Sequence, residues 1–147
     1  MSTTTIDRDR FDHFLNAQGG GVWERALDEL RRGTKTGHWM WFVFPQLAEL
    51  GKSHMAQLYG IEDLAEAKAY LGHEVLSARL VEVSRLMLSH ADQDAAEILG
   101  KVDAKKLRSS MTLFAAVPDA PGEFKQVLDE FYSGSPCPLT IEALASA

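Results

Sequence analysis

The chain has 147 residues, 46% hydrophobic and 24% charged, with a formal net charge of −6 and an isoelectric point near 5.3. That length and composition predict one globular domain over residues 1–147 with a core of its own and exclude a disordered or fibrous chain. The acidic balance argues against the cationic footprint of a nucleic-acid polymer binder, and the longest apolar run, six residues from Trp39 to Phe44, is far short of the roughly 20 that span a bilayer.

In chain order, Phe11, Phe14 and Leu15 recur at helical spacing behind Asp7 or Asp9 as candidate caps, and the triple glycine 19–21 ends that helix. Trp23, Ala26, Leu27 and Leu30 follow the i, i+3, i+4, i+7 pattern, with Arg31, Arg32 and Gly33 as a cationic last turn and a left-handed stop. Glu62 to Leu71 is rich in helix formers and closes at Gly72. From His73 to His90, Leu76, Leu80, Val83 and Met87 form one stripe, which predicts a long central core helix. A short helix over 95–99 stops at Gly100. Asp103 is then a candidate cap for a helix burying Leu107, Met111 and Phe114, and Pro118 ends it. Pro121 suits a first helical position before the stripe Phe124, Val127, Leu128 and Phe131. Residues 1–6 and 134–147 read as irregular tails, with at most one turn near Ile141 to Ala145. No alternating β-branched run occurs, so the expected fold is all-α, a single irregular helical bundle.

Two segments depart from this plain pattern. In Lys35-Thr36-Gly37-His38-Trp39-Met40-Trp41-Phe42-Val43-Phe44-Pro45-Gln46, four aromatics bring a large burial payload, which places Met40, Phe42, Val43 and Phe44 in the core. Lys35, His38 and Gln46 flank the run as polar groups at a core boundary, the layout of a small-ligand pocket, although His38 fits a capping or core role equally well. In the second segment, Arg108-Ser109-Ser110, helical geometry puts Ser110 beside Leu107 and Phe114, with Arg108 on the flank. A hydroxyl bonded back to the preceding turn and an anion clamp are both open readings. Tyr59 reads as a core-edge tyrosine. His13, His54, His73 and His90 lack zinc spacing, and no Gly-x-Ser-x-Gly or GxGxxG motif occurs, so no metal or cofactor is expected. The opening MSTTTIDRDR lacks a secretory h-region, and Cys137 has no disulfide partner in the chain; both lead to an expected cytoplasmic location. Cys137, between two prolines and without an adjacent base, reads as a tail thiol.

The runs GHWMWFVFPQ and KLRSSMTLF, with RFDHFLNAQ, ALDELRRGTKTGHWMWF, SHMAQLYGIEDLAEAKAYLGHEVLSARL and DEFYSG, resemble the bacterial and fungal family called domain of unknown function 1810. The resemblance covers nearly the whole chain. It implies a compact all-helical fold and brings no activity. The order of an early Phe-x-x-x-x-Ala-Gln, a helical middle and a small-residue ending is also similar to proteins that process ADP-ribose and related N-glycosides. Those proteins carry a late Trp-Gly motif, whereas the last tryptophan here is Trp41, so their active site is not carried over.

The functional expectation is an enzyme or binding protein for a small phosphorylated or nucleoside-like ligand. Lys35 and Arg108 would hold the anion, and Trp39 or Trp41 would stack on a ring. Ser109, Ser110 and Gln46 would orient the ligand. His38 would serve as acid or base, since an imidazole titrates near neutrality, and Asp103 would stabilise positive charge at an anomeric carbon. The alternative is a non-catalytic interaction module that docks a protein partner through Trp39–Phe44. Convergence of His38 and Arg108 in one concavity would favour the first reading, and a flat exposed Trp39/Trp41 patch the second.

Overall fold

A computed structural model describes residues 3–146, and among them the architecture is helical throughout. The elements are α1 (Thr3–Ala17), α2 (Val22–Arg32), α3 (Met40–Val43), a 3-10 turn (Ala48–Leu50), α4 (His54–Leu58), α5 (Leu64–Gly72), α6 (Glu74–Leu88), α7 (Ala95–Leu99), α8 (Lys101–Ala115), α9 (Glu123–Tyr132) and α10 (Pro138–Ala145). The one strand-like feature among the described residues is an isolated parallel bridge between Leu47 and Ile61.

The expected stripe of α6 is the spine of the molecule. Leu76, Leu80, Val83 and Met87 are all buried, and α6 packs against α2, α5 and α9. Its N-cap is His73, whose Nδ1 accepts the Leu76 N–H at 3.2 Å, satisfying one of the donors that a helix start leaves free. Against this spine α8 buries Leu107, Met111 and Phe114, and α9 buries Phe124, Val127 and Leu128. One contiguous core results, running from Phe11 to Leu128. Its burial is the main stabilising term of the fold.

Several boundaries differ from the sequence reading. Helix α1 begins at Thr3, so neither Asp7 nor Asp9 stands at its start and residues 3–6 are not an irregular tail; residues 1–2 lie outside the described residues. Helix α8 starts at Lys101 rather than behind Asp103. Gly100 both ends α7 and opens α8 at φ 89°, a left-handed backbone that leaves no room for a longer connection. Asp103 therefore sits in the first turn of α8, where a carboxylate favours the positive end of the helix dipole. Helix α9 starts at Glu123, two residues after Pro121. The C-terminal segment expected to be irregular is the two-turn helix α10, with Pro138 in its first turn. Its apolar positions gave no stripe to read because Leu139 and Ile141 face solvent. The aromatic run is the short helix α3. It is pinned by Gln18, whose Nε2 donates to the Phe42 carbonyl at 2.8 Å while its Oε1 accepts from Arg79 of α6 at 2.8 Å.

Candidate functional site

The chain between α2 and α3 is built around one buried carboxylate. Glu29 projects from the buried face of α2 and is only 6% exposed. Its Oε1 accepts the Thr36 N–H at 2.7 Å, the Gly37 N–H at 2.8 Å and the Trp39 indole N–H at 3.0 Å. Burial alone would push this carboxyl up. The donors of Gly37, Thr36 and Trp39 outweigh it and hold the group below its ordinary value. Gly37 fits closely here: a Cβ would lie 3.0 Å from Trp39 Cδ1 and 3.2 Å from Glu29 Oε2, so both side chains would have to shift to admit one.

A lysine pair joins this loop to α8. Lys35 Nζ stands 2.8 Å from Asp103 Oδ2, donates to the Gly37 carbonyl and lies 5.1 Å from the centre of the Trp39 ring. The Lys35 side chain is only 8% exposed. The second oxygen of Asp103 is 3.4 Å from Lys106 Nζ, which in turn sits 4.6 Å over the Trp41 ring. Asp103 thus bridges two lysines. Lys35 and Asp103, expected as an anion holder and a charge stabiliser, meet each other instead.

Beyond Lys106 opens a groove of about 510 Å³ between the α3–α4 region and the helices α8 and α10. Trp41, Gln46, Lys52, Lys105, Lys106 and Ser109 give it its chemistry, and among the described residues no carboxylate lines it. Of the residues expected to bind ligand, Trp41, Gln46 and Ser109 come together here. Ser109 also donates to the Lys105 carbonyl at 3.1 Å and to Cys137 Sγ at 3.3 Å.

The other expected residues are placed elsewhere. His38 is exposed and borders a second concavity of about 230 Å³, with Arg25, Glu29, Trp39 and Phe42. Arg108 lines neither space. Its Nε donates to the Ser135 carbonyl at 2.9 Å and its Nη2 to the Ser135 hydroxyl at 2.8 Å, with the guanidinium 5.8 Å from the centre of the Tyr132 ring. His38 and Arg108 do not converge in either concavity, so the condition set for a shared site is not met. Arg108 ties down the segment that leads into α10. Ser110 is completely buried, and its hydroxyl has no hydrogen-bond partner among the described residues. Trp39 is 2% exposed, and Phe42 and Phe44 are buried with it, so the aromatic run presents no flat docking face.

Five charged residues of these two spaces escaped the sequence reading: Arg25, Glu29, Lys52, Lys105 and Lys106. Glu29 left a signal, because it stands on the apolar face of Trp23, Ala26 and Leu30, where an acid needs buried donors. The lysines left none that separates them from a solvated helix face. Cys137, expected as a tail thiol, is buried as the N-cap of α10, and its N–H donates to Thr112 Oγ1 at 2.9 Å. Burial pushes the thiol up. The hydroxyl of Ser109 and the N–H groups of Thr140 and Leu139 outweigh that and hold it below its ordinary value.

The crystal structure of the conserved hypothetical protein Rv1873 from Mycobacterium tuberculosis is similar to this chain, with 45% sequence identity and a TM-score of 0.88, over 92% of this chain and 96% of that one. No curated protein matches the sequence. The family model described as protein of unknown function (DUF1810) matches residues 8–144, nearly the entire helical core described above, and the chain belongs to that family.

Proposed function

We propose that the groove beside Trp41 binds a small anionic ligand that carries a flat ring, of the phosphorylated or nucleoside-like type. The observation that carries this reading is the lining itself: three lysines and, among the described residues, no carboxylate, in a chain of net charge −6. A concave surface of one sign focuses its field and concentrates counter-charged ligands there. Its volume lies within the range of small-ligand sites, about 300 to 1,000 Å³. Lys106 over the Trp41 ring sets a cation directly beside a π-face, so a ligand with an anion next to a ring meets both at once. Gln46 and Ser109 supply hydrogen bonds from opposite walls. The reading is of binding rather than turnover, since neither His38 nor Asp103 lines this groove.

A thermal-shift series with adenosine, AMP, ADP-ribose and inorganic phosphate tests it. A ligand at 100 times its Kd stabilises the folded state by about 2.7 kcal/mol. AMP and ADP-ribose are expected to raise the Tm more than adenosine or phosphate alone, and the Lys105→Gln/Lys106→Gln double substitution is expected to remove the increment. No shift with any of the four, or a shift that survives the double substitution, would overturn the proposal.

A further inference from the structure

The second concavity, between α2 and α3, has a different chemistry from the lysine groove. At its wall stands the Glu29 carboxylate, which is almost entirely buried and forms no ion pair among the described residues. Buried carboxylates are ordinarily matched by a cation, because desolvating an isolated charge is costly. Here the compensation is one-sided. The three hydrogen bonds from Thr36, Gly37 and Trp39 all fall on Oε1, and among the described residues the remaining oxygen has no main-chain or cationic partner. The hydroxyl of the exposed Thr36 is a further, uncharged donor to the carboxylate. The groups around this acceptor are of two further kinds. Val22, Trp39 and Phe42 supply apolar and aromatic surface, and the exposed Arg25 and His38 supply nitrogen-bearing groups, a guanidinium and an imidazole.

We infer that this concavity is a binding site for a small apolar α-amino acid, with the ammonium on Glu29 Oε2, the carboxylate on Arg25 and the side chain against Val22, Trp39 and Phe42. Each part answers one chemical feature of the space. An ammonium offers three donors and a full positive charge to a carboxylate whose partners among the described residues are all neutral, and aromatic surface beside it adds to the attraction. A guanidinium at the mouth is suited to a carboxylate by its fork of parallel donors. A plain amine would leave Arg25 unmatched, and a plain acid would meet the Glu29 charge. The volume of about 230 Å³ equals roughly seven or eight waters at about 30 Å³ each, room for a small molecule and not for a peptide. This site shares no residue with the lysine groove and does not depend on it.

Trp39 gives the site its own reporter, because its indole N–H donates to the same carboxylate that receives the ammonium. In ¹H–¹⁵N spectra of the full chain, L-phenylalanine is expected to shift the Trp39 indole resonance saturably, and phenethylamine, which lacks the carboxylate, to bind at least tenfold more weakly. Glu29→Gln keeps an acceptor for the three N–H donors while removing the charge, and is expected to abolish both shifts. Arg25→Ala, at an exposed position, is expected to weaken phenylalanine to the level of the amine and leave the amine unchanged. Should Glu29→Gln fail to fold, the Arg25→Ala comparison decides alone. The inference is overturned if neither compound moves the Trp39 resonance, if the shifts survive Glu29→Gln, or if the amine binds as tightly as the amino acid.

Discussion

Trp39 and Trp41 are separated by one residue, and each has a lysine ammonium over its ring, Lys35 at 5.1 Å and Lys106 at 4.6 Å. Trp39 is sealed in, with its indole N–H on Glu29 and its lysine held by Asp103 and the Gly37 carbonyl. Trp41 is half-buried, and its lysine lines an open groove. The same pair of side chains is therefore structural in one place and available to a ligand in the other. What separates them is how many of the lysine's donors the protein itself has used. Burial decides the energetics as well, because charges removed from water depend on their partners far more than charges at the surface do.

Asp103 belongs to both regions, which makes it the sharpest place to break the comparison. Asp103→Ala leaves the nearly buried Lys35 without its carboxylate and is expected to cost about 3 to 5 kcal/mol, the range for removing one partner of a buried pair. Lys106→Ala removes the partly exposed partner of the same carboxylate and is expected to cost under about 1 kcal/mol. Urea denaturation of the two variants measures both values. Equal losses would mean that the two lysines are held alike and that the division between the two tryptophans is illusory.

Glu29 is expected to come next. Glu29→Ala strands the buried indole N–H of Trp39 and the part-buried N–H groups of Thr36 and Gly37, a buried donor costing about 1 to 3 kcal/mol when left unsatisfied, so a loss of about 2 to 4 kcal/mol is expected. Glu29→Gln preserves the acceptor and is expected to lose less than half as much. The sign of the pH dependence follows from the direction of the Glu29 shift. Its folded value lies below the ordinary 4.5, so the native state binds fewer protons than the unfolded chain in that window. The stabilisation is complete above about that pH and fades as the pH falls through the folded value. The Tm difference between wild type and Glu29→Gln should shrink on acidification below pH 4.5. A difference that stays constant down to strong acid would show that the charge on Glu29 contributes nothing.

How far the sequence carried can be read from the same residues. The stripe Leu76, Leu80, Val83 and Met87 was legible because a helix with one buried face repeats its apolar positions at the helical period, and all four are buried. Helix α10 was not legible, because only Thr140 is buried along it and what fastens its start is Arg108 on Ser135 and Cys137 on Thr112. Such long-range polar contacts leave no periodic trace. For the candidate sites, residue type was informative and pairing was not. Lys35, Asp103 and Arg108 are chemically suited to anion binding, but Lys35 and Asp103 neutralise each other, and Arg108 is occupied by Ser135. Which charged groups remain free is settled by the fold, across separations of 27 residues for Arg108 and Ser135.

Arg108 gives the third expected effect. Its two bonds to Ser135 are partly exposed, so Arg108→Ala is expected to cost about 1 to 2 kcal/mol, toward the lower end for hydrogen bonds to charged groups. Binding of AMP in the lysine groove should be unchanged once the lower stability is allowed for, because Arg108 does not line that groove. Loss of AMP binding with an unaltered Tm would move Arg108 back among the ligand contacts and break the division between structural and available cations.

The same division runs between two neighbouring serines of α8, and there the expected effect is smallest and opposite in sign. Ser109 borders the groove and donates to Cys137 Sγ and to the Lys105 carbonyl. Ser110, one position on, faces inward between Leu107 and Phe114, is completely buried, and has a hydroxyl without a partner among the described residues. A buried hydroxyl that makes no hydrogen bond carries its desolvation cost in the folded state with nothing to offset it. Alanine removes that hydroxyl, creates a void no larger than one oxygen atom, and has the higher helix propensity. Ser110→Ala is therefore expected to leave stability unchanged or raise it by up to about 1 kcal/mol, whereas Ser109→Ala should lower it and release the thiol of Cys137 from one of the groups that hold it below its ordinary value. Urea denaturation gives the first comparison, and the pH dependence of Cys137 alkylation gives the second. A loss of more than about 1 kcal/mol in Ser110→Ala would show that this hydroxyl makes a hydrogen bond worth the usual net amount, and Ser110 would then belong with the satisfied core.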